Sequence, residues 1–242
     1  QETNTTGIVK TVNYIAKSEY EEALKSAKNI KGEIKELIYP TVKIWTLAGQ
    51  GKKKEAFAEL ETFNVEKNKK AEEDDNNAYY TYNKAMLYEY FSMPEDAKRE
   101  YENYIKISNN NLSFYNYSAI MEFYFRNDYT KEAKSLSART YYTGNTQDAK
   151  NEYTKQLMSG QDNTQYHKIS PQTAVSDMLM YISSLLSHLK ANPEMMYFYM
   201  RMASYLNQDN TFLQYLIALH LDLFGLHQEA LRSFEDIKNP PY

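Results

Sequence analysis

The apolar and small residues of this chain follow a helical period along most of its length. They recur three and four positions apart, which places them on one face of an α-helix. Within this pattern an alanine recurs in one local frame, with a larger or helix-starting residue three positions before it and residues suited to packing four and seven positions after it. A small residue there lets a second helix approach closely, so the pattern predicts paired helices. The alanines are Ala23, Ala56, Ala97, Ala133 and Ala230, and Met196 takes the same place in a sixth frame.

The distances between these frames predict tandem repeats. Ala23 and Ala56 are 33 positions apart, and Met196 and Ala230 are 34 positions apart. A helix pair of this size cannot bury its apolar face alone, and stacking on neighbouring pairs gives a continuous core. Ala133 and Met196 are 63 positions apart, too far for one repeat. An insert is therefore expected between them.

We predict an all-α fold, a right-handed α-solenoid of about six helix pairs that form one continuous superhelix. Residues 1–140 are expected to hold repeats 1–4, and residues 171–242 repeats 5 and 6. Residues 141–170 contain two glycine-bearing polar stretches and are expected to form an irregular insert or a linker helix.

Helix starts are predicted from capping residues. Ser170 and Asn192 each precede a proline, which is the usual order of an N-cap and a first helical residue. Ser18, with Glu21 three positions later, matches a capping box, and Asp128 is a further candidate cap. Pro94 suits the first turn of a helix.

Composition narrows the range of functions. The chain has no cysteine, which excludes disulfides, thiolate chemistry and cysteine-ligated zinc. A net charge of −4 does not suit a nucleic-acid partner. No apolar stretch reaches the roughly 18 residues of a membrane span. Because the chain begins at Gln1, we expect a processed protein or a portion of a longer one.

Two segments carry a resemblance to a known family. The runs Asp-Tyr-Thr-Lys-Glu-Ala at 128–133 and Gly-Leu-His-Gln-Glu-Ala at 225–230 resemble the centre of a tetratricopeptide repeat (TPR). The last third also resembles alphaproteobacterial TPR-containing proteins, at 173–189, 203–207 and 234–242. This resemblance implies a bacterial protein of the cell envelope, the periplasm or the cytoplasm, with further repeats beyond the end of this chain. It implies no enzymatic activity.

The resemblance also implies a binding groove lined by the first helix of each pair. Tyrosine and tryptophan suit such a groove because they offer large, rigid contact areas with a polar tip. The alternative is that these rings pack between helices. The residues carried over as partner-binding are Trp45, Tyr79, Tyr82, Glu89, Tyr90, Tyr115, Glu122, Tyr181, His188, Tyr215 and Asp222.

Catalytic and metal-binding alternatives have weaker support in the sequence. His220, Asp222 and His227 lie close in sequence, but Gly225 separates them, and a metal site needs three or four convergent ligands. Glu89, Glu122 and Asp222 offer carboxylate pairs of a kind that any helical protein contains. We therefore expect no metal, no cofactor and no catalytic residue.

We predict a non-enzymatic scaffold that binds a protein, as a peptide or a helix, in the tyrosine-rich groove. The first alternative is a self-assembly module, a homo-oligomer or a stack with further repeats, because the last helix pair carries apolar residues on more than one side and a terminal repeat normally needs a polar outer face. The apolar residues of that last helix pair are Leu216, Leu219, Leu221, Leu223 and Phe224. The second alternative is an α-toroid hydrolase.

Overall fold

The computed structural model describes residues 4–68, 75–143, 145–159, 168–189 and 192–237. All regular secondary structure within these ranges is helical, which confirms the all-α prediction. The helices are α1 (Asn4–Ala16), α2 (Tyr20–Lys28), α3 (Lys35–Gly49), α4 (Lys53–Asn68), α5 (Asp75–Tyr90), α6 (Pro94–Ile107), α7 (Phe114–Arg126), α8 (Thr130–Arg139), α9 (Asn145–Ser159), α10 (Pro171–His188), α11 (Pro193–Leu206), α12 (Thr211–Leu223) and α13 (His227–Glu235).

The helices form two compact units that are not contiguous in sequence. The first unit contains α1–α4 together with α10–α13, and the second contains α5–α9. These units divide the chain by contacts, whereas the predicted segments 1–140, 141–170 and 171–242 divide it by repeats. The repeat segmentation therefore stays a prediction.

Five helical hairpins share one turn geometry. In each, one residue between the two helices has a left-handed backbone, with φ between 56° and 76°. The next residue donates its N–H to the carbonyl five residues earlier, at 2.8–3.0 Å, as in a Schellman motif. The second helix begins directly after that residue. The left-handed residues are Ser18, Gly51, Ser92, Asp128 and Gly225.

The repeated alanine lies five positions after each left-handed residue. All five alanines are buried, with 2% exposure for Ala230 and none for the other four. Each donates its N–H to the residue four positions earlier, in the first turn of its helix. The turn and the alanine together set how closely the two helices of a hairpin pack.

The pair α10–α11 differs from the other five pairs. Met196 stands where they have alanine, and it is half-buried. Two serine hydroxyls of α10 bond to carbonyls of α11: Ser176 Oγ to Ala203 O at 2.9 Å and Ser183 Oγ to Met196 O at 3.2 Å. Small polar side chains thus bring these two helices together without the alanine frame.

In the first unit, helices from opposite ends of the sequence pack together. Helix α10 packs against α1 and α3, and α11 packs against α1. The Gln172 side chain donates to Ile15 O at 3.1 Å and to Ser18 Oγ at 3.0 Å. Sequence neighbours pack as well, because α2 lies on α3 and α11 lies on α12. The Gln172 contacts are additional to that nearest-neighbour packing, since they join residues more than 150 positions apart.

In the second unit, α5 packs on α6, α7 on α8, and α9 on α7. The segment predicted as an insert or linker helix thus includes a 15-residue helix with a packing partner. Tyr117 on α7 and Thr154 on α9 share a hydrogen bond of 2.7 Å, and both side chains are buried. Tyr101, Tyr117 and Phe123 are among the largest buried side chains of this unit.

The capping predictions had mixed outcomes. Asn192 caps α11 through Glu194 N at 2.8 Å, Ser170 Oγ accepts from Thr173 N at 3.1 Å, and Pro94 begins α6 as predicted. The predictions for Ser18 and Asp128 were wrong, because both residues occupy the left-handed turn position. The next residues, Glu19 and Tyr129, occupy the N-cap positions of α2 and α8, and neither forms a side-chain capping hydrogen bond.

Candidate functional site

The predicted groove residues of the first unit differ in accessibility. Trp45 is fully buried, so it contributes to packing and offers no surface to a partner. Tyr181 and Tyr215 are half-buried, and the Tyr215 ring lies 5.6 Å from that of Phe234. Asp222 is exposed and pairs with His227 Nδ1 at 2.7 Å. The side chain of His188 lies outside the described part of the structure.

In the second unit, most of the predicted groove residues are buried. Tyr79, Tyr82, Tyr115 and Glu122 are each less than 10% exposed, whereas Glu89 and Tyr90 are half-buried. The Tyr82 ring packs against two tyrosine rings of α6, those of Tyr101 at 5.9 Å and Tyr104 at 5.0 Å. Burial makes packing the main role of these rings.

Glu89 joins three helices of the second unit. Its carboxylate on α5 accepts a 2.8 Å hydrogen bond from the Tyr101 hydroxyl on α6 and forms an ion pair with Arg126 on α7. Burial and the neighbouring Glu89 charge raise the pKa of Tyr101 well above its ordinary value, which keeps the phenol neutral as a donor. The Glu89 carboxylate is therefore committed to helix packing.

Glu122 has a similar role between α7 and α9. Its Oε1 accepts a hydrogen bond of 2.8 Å from the Tyr153 hydroxyl, and both residues are buried. A buried carboxylate is costly unless it is hydrogen-bonded. This bond helps to hold α9 on α7.

A polar surface pocket of about 650 Å³ lies between α6 and α8. It belongs entirely to the second unit and contains none of the predicted groove residues. We call it the α6–α8 pocket. Its lining residues are Glu102, Lys106, Asn109, Asn110, Tyr124, Lys131, Glu132, Ser135 and Arg139.

The charges in the α6–α8 pocket are only partly compensated. Glu132 lies 3.7 Å from Lys98, a residue outside the lining. Lys106, Lys131 and Arg139 form no ion pair within the described part of the chain. The pocket therefore presents three cations whose charge is not neutralised by a direct partner.

Two buried polar atoms of the lining have no hydrogen-bond partner. They are the Tyr124 hydroxyl oxygen and Asn110 Oδ1. Tyr124 is 1% exposed, and burial raises the pKa of its phenol, with smaller effects of Glu102, Arg139 and Glu132. Tyr124 lines the pocket from α7. Asn110 is held at the end of α6 by its N–H, which donates to Ile105 O at 3.0 Å.

A pattern in the sequence indicates this pocket. Glu102 and Lys106 lie four residues apart on α6, with Asn110 four residues further on, just beyond the helix, and Lys131, Ser135 and Arg139 recur every four residues on α8. Each set forms a polar stripe on one helix face. Polar stripes on helices are usually solvated, so the pattern has meaning only when two stripes are known to face each other.

Apolar side chains are exposed at the end of the first unit. Leu223 is 81% exposed, Leu231 is 59% exposed, and Phe224 and Leu226 are each about 45% exposed. Leu223 and Phe224 were among the apolar residues predicted there, as was Leu221, which is only 6% exposed. Leu226 and Leu231 were not predicted, because the alanine frame of α13 gives no information on the opposite side of that helix.

The described residues show neither a metal-ion site nor a membrane-spanning helix. No group of three or more histidine, aspartate or glutamate side chains there is arranged to hold a metal ion. None of the helices described is both long enough and apolar enough to cross a bilayer. No protein-family model, no curated protein and no solved structure matches the chain. The resemblance to TPR proteins thus stays a prediction from the residues.

Proposed function

We propose that this protein is a non-enzymatic scaffold of TPR-like helical hairpins that binds a segment of another protein. The observation that carries the proposal is the five hairpins with the same left-handed turn and the same buried alanine. Repeated helical pairs of this kind give extended surfaces, and such surfaces commonly serve in protein binding. A right-handed solenoid arrangement of the hairpins is part of the proposal.

The binding surface is proposed on the first helices of the pairs, at the predicted residues that are not buried. In the second unit the best placed is Tyr90, and in the first unit Tyr181; both are half-buried on first helices. A ring of this kind combines apolar area with a polar tip. Each unit is expected to contact the partner through its own tyrosine.

The contacts of Glu89 and Glu122, two of the carboxylates considered for an α-toroid hydrolase, favour a scaffold over an enzyme. Glu89 is paired with Arg126 and Tyr101, and Glu122 accepts from Tyr153. Groups that already join helices are poor candidates for proton transfer to a substrate.

Site-specific photo-crosslinking tests the scaffold function. Benzoyl-phenylalanine replaces Tyr90 in one variant and Tyr181 in another, and each variant is irradiated in extract of the source cell. The matched control carries the probe at Tyr141, which is 77% exposed and was not predicted to bind. We expect one discrete adduct, shared by the first two variants and absent from the control. Identical adduct patterns at all three positions would contradict the proposal.

A second candidate function, self-assembly, is favoured by the exposed apolar side chains of the last hairpin. Exposed leucine and phenylalanine side chains that cluster on a surface mark association sites. Sedimentation equilibrium over a range of protein concentrations tests this candidate. Concentration-dependent dimers that dissociate in Leu223→Gln, but persist in Leu189→Gln, would support it. Leu189 is a suitable control because it is 76% exposed, close to the 81% of Leu223.

A further inference from the structure

The α6–α8 pocket takes its charged lining from two second helices, α6 and α8, whereas the proposed partner surface is on first helices. Its lining is polar or charged at every position, with Tyr124 as the one aromatic residue. A volume of about 650 Å³ suits a small molecule. We therefore consider the pocket as a ligand site separate from the proposed partner surface.

We propose that the α6–α8 pocket binds a small hydrophilic ligand through an oxyanion, a carboxylate or phosphate group, held by Lys106, Lys131 and Arg139. These residues come from two helices and converge on one cavity. Hydrogen bonds from ammonium and guanidinium groups to an oxyanion are stronger than neutral ones, and the arginine fork fits carboxylate and phosphate alike.

The local charge balance favours an anion. Three cations and two carboxylates line the pocket, and one of those carboxylates, Glu132, is shared with Lys98 at 3.7 Å. Among the described residues, the three cations have no direct ion-pair partner that a ligand would have to displace. A concave site with an excess of one charge attracts ligands of the opposite charge.

The Tyr124 hydroxyl provides an independent observation. It is buried, belongs to a residue that lines the pocket, and has no hydrogen-bond partner among the described residues, although buried polar groups are nearly always satisfied. An oxyanion among the neighbouring cations would accept a hydrogen bond from it. The Asn110 side chain, whose Oδ1 also has no partner, could donate through its amide to the same ligand once it is turned over.

Glu102 limits what the ligand can be. Its carboxylate lines the pocket and forms no ion pair within the described residues. It would repel a densely charged polyanion and would accept a hydrogen bond from a hydroxyl or ammonium group of the ligand. The pocket therefore suits one oxyanion in a ligand that also carries a hydrogen-bond donor.

Isothermal titration at low ionic strength tests the proposal on the full chain, with inorganic phosphate in one arm and succinate in the other. The two arms distinguish a phosphate site from a carboxylate site. We expect saturable binding with one ligand per chain in at least one arm. Absence of saturation in both arms up to tens of millimolar would overturn the proposal.

Matched variants on α8 locate the binding. Arg139→Gln removes a pocket cation, and Lys134→Gln removes an exposed cation of the same helix that does not line the pocket. We expect Arg139→Gln to weaken binding at least tenfold and Lys134→Gln less than twofold. Equal weakening by both variants would show nonspecific attraction and would overturn the proposal.

Tyr124→Phe separates binding from folding. A hydroxyl without a partner contributes no hydrogen bond to the free protein, so the melting temperature should stay constant or rise. If the hydroxyl contacts the ligand, the same variant should bind severalfold more weakly. Undiminished binding by Tyr124→Phe would overturn the assignment of the hydroxyl to the site. None of these outcomes depends on the crosslinking result for the scaffold.

Discussion

The Tyr153 hydroxyl on α9 donates a hydrogen bond of 2.8 Å to Glu122 Oε1 on α7. Tyr153→Phe would remove this donor and leave a buried carboxylate with one partner fewer. We expect the second unit to lose about 1–2 kcal/mol of stability, the usual cost of such a loss. Urea unfolding followed by circular dichroism measures it. The control Tyr141→Phe changes an exposed hydroxyl and should leave the transition in place.

Because the alanine of each hairpin is buried, we expect the stability of the protein to depend strongly on side-chain size at that position. Ala133 has no exposure, whereas Ala138 on the same helix is exposed. Ala133→Leu should destabilise the protein by about 1–3 kcal/mol because overpacking forces the helices apart. Ala138→Leu should change stability by less than about 0.5 kcal/mol. Comparable effects of the two substitutions on thermal unfolding would refute the close approach at Ala133.

The left-handed turn predicts a backbone effect at Gly225, whose φ is 76°. A methyl group there would meet no atom within 4 Å, so any cost of Gly225→Ala is conformational. We expect a loss of about 1 kcal/mol. Gly225→Asn should lose less, because asparagine tolerates this conformation.

The effect of the Gly225 substitutions can be measured on the first unit alone. Trp45 is the one tryptophan of the chain and is buried in that unit. Its fluorescence reports unfolding of the first unit in urea. If Gly225→Asn proved as costly as Gly225→Ala, a steric cause would be indicated instead.

His220 predicts a loss of stability in acid. Burial lowers its pKa, opposed by a hydrogen bond with the Pro193 carbonyl. The unfolded chain therefore binds a proton more readily than the native one, so stability rises with pH through the window below the ordinary histidine value of about 6.5. Acidification from pH 7.5 to pH 5.5 should lower the urea midpoint.

The variant His220→Gln isolates this contribution. The slope of its midpoint against pH should be smaller than that of the native chain over the same window, whatever its absolute stability. The control Leu189→Gln, at an exposed side chain that carries no ionisable group, keeps His220 and should retain the native slope. A His220→Gln slope equal to the native one would assign the acid sensitivity to other groups.

The five hairpins with the repeated alanine could be predicted from the amino-acid sequence. A left-handed residue, a helix start and a small residue five positions later are decided by backbone sterics and hydrogen bonds within about ten residues. The alanine frames of α2, α4, α6, α8 and α13 could therefore be recognised without coordinates. Even here the N-cap role predicted for Ser18 and Asp128 was wrong, because serine and aspartate are common both as caps and in turns.

Which helix faces meet could be learned from the folded chain alone. The packing of α10 on α1 and α3 depends on contacts between helices more than 120 positions apart in the sequence, and the helical period alone does not select a partner face. The same limit applies to the sites. The helical period predicted that Tyr79, Tyr82 and Tyr115 lie on first helices, but it did not predict that they are buried. It also gave no indication that the polar residues of α6 and α8 line the same pocket.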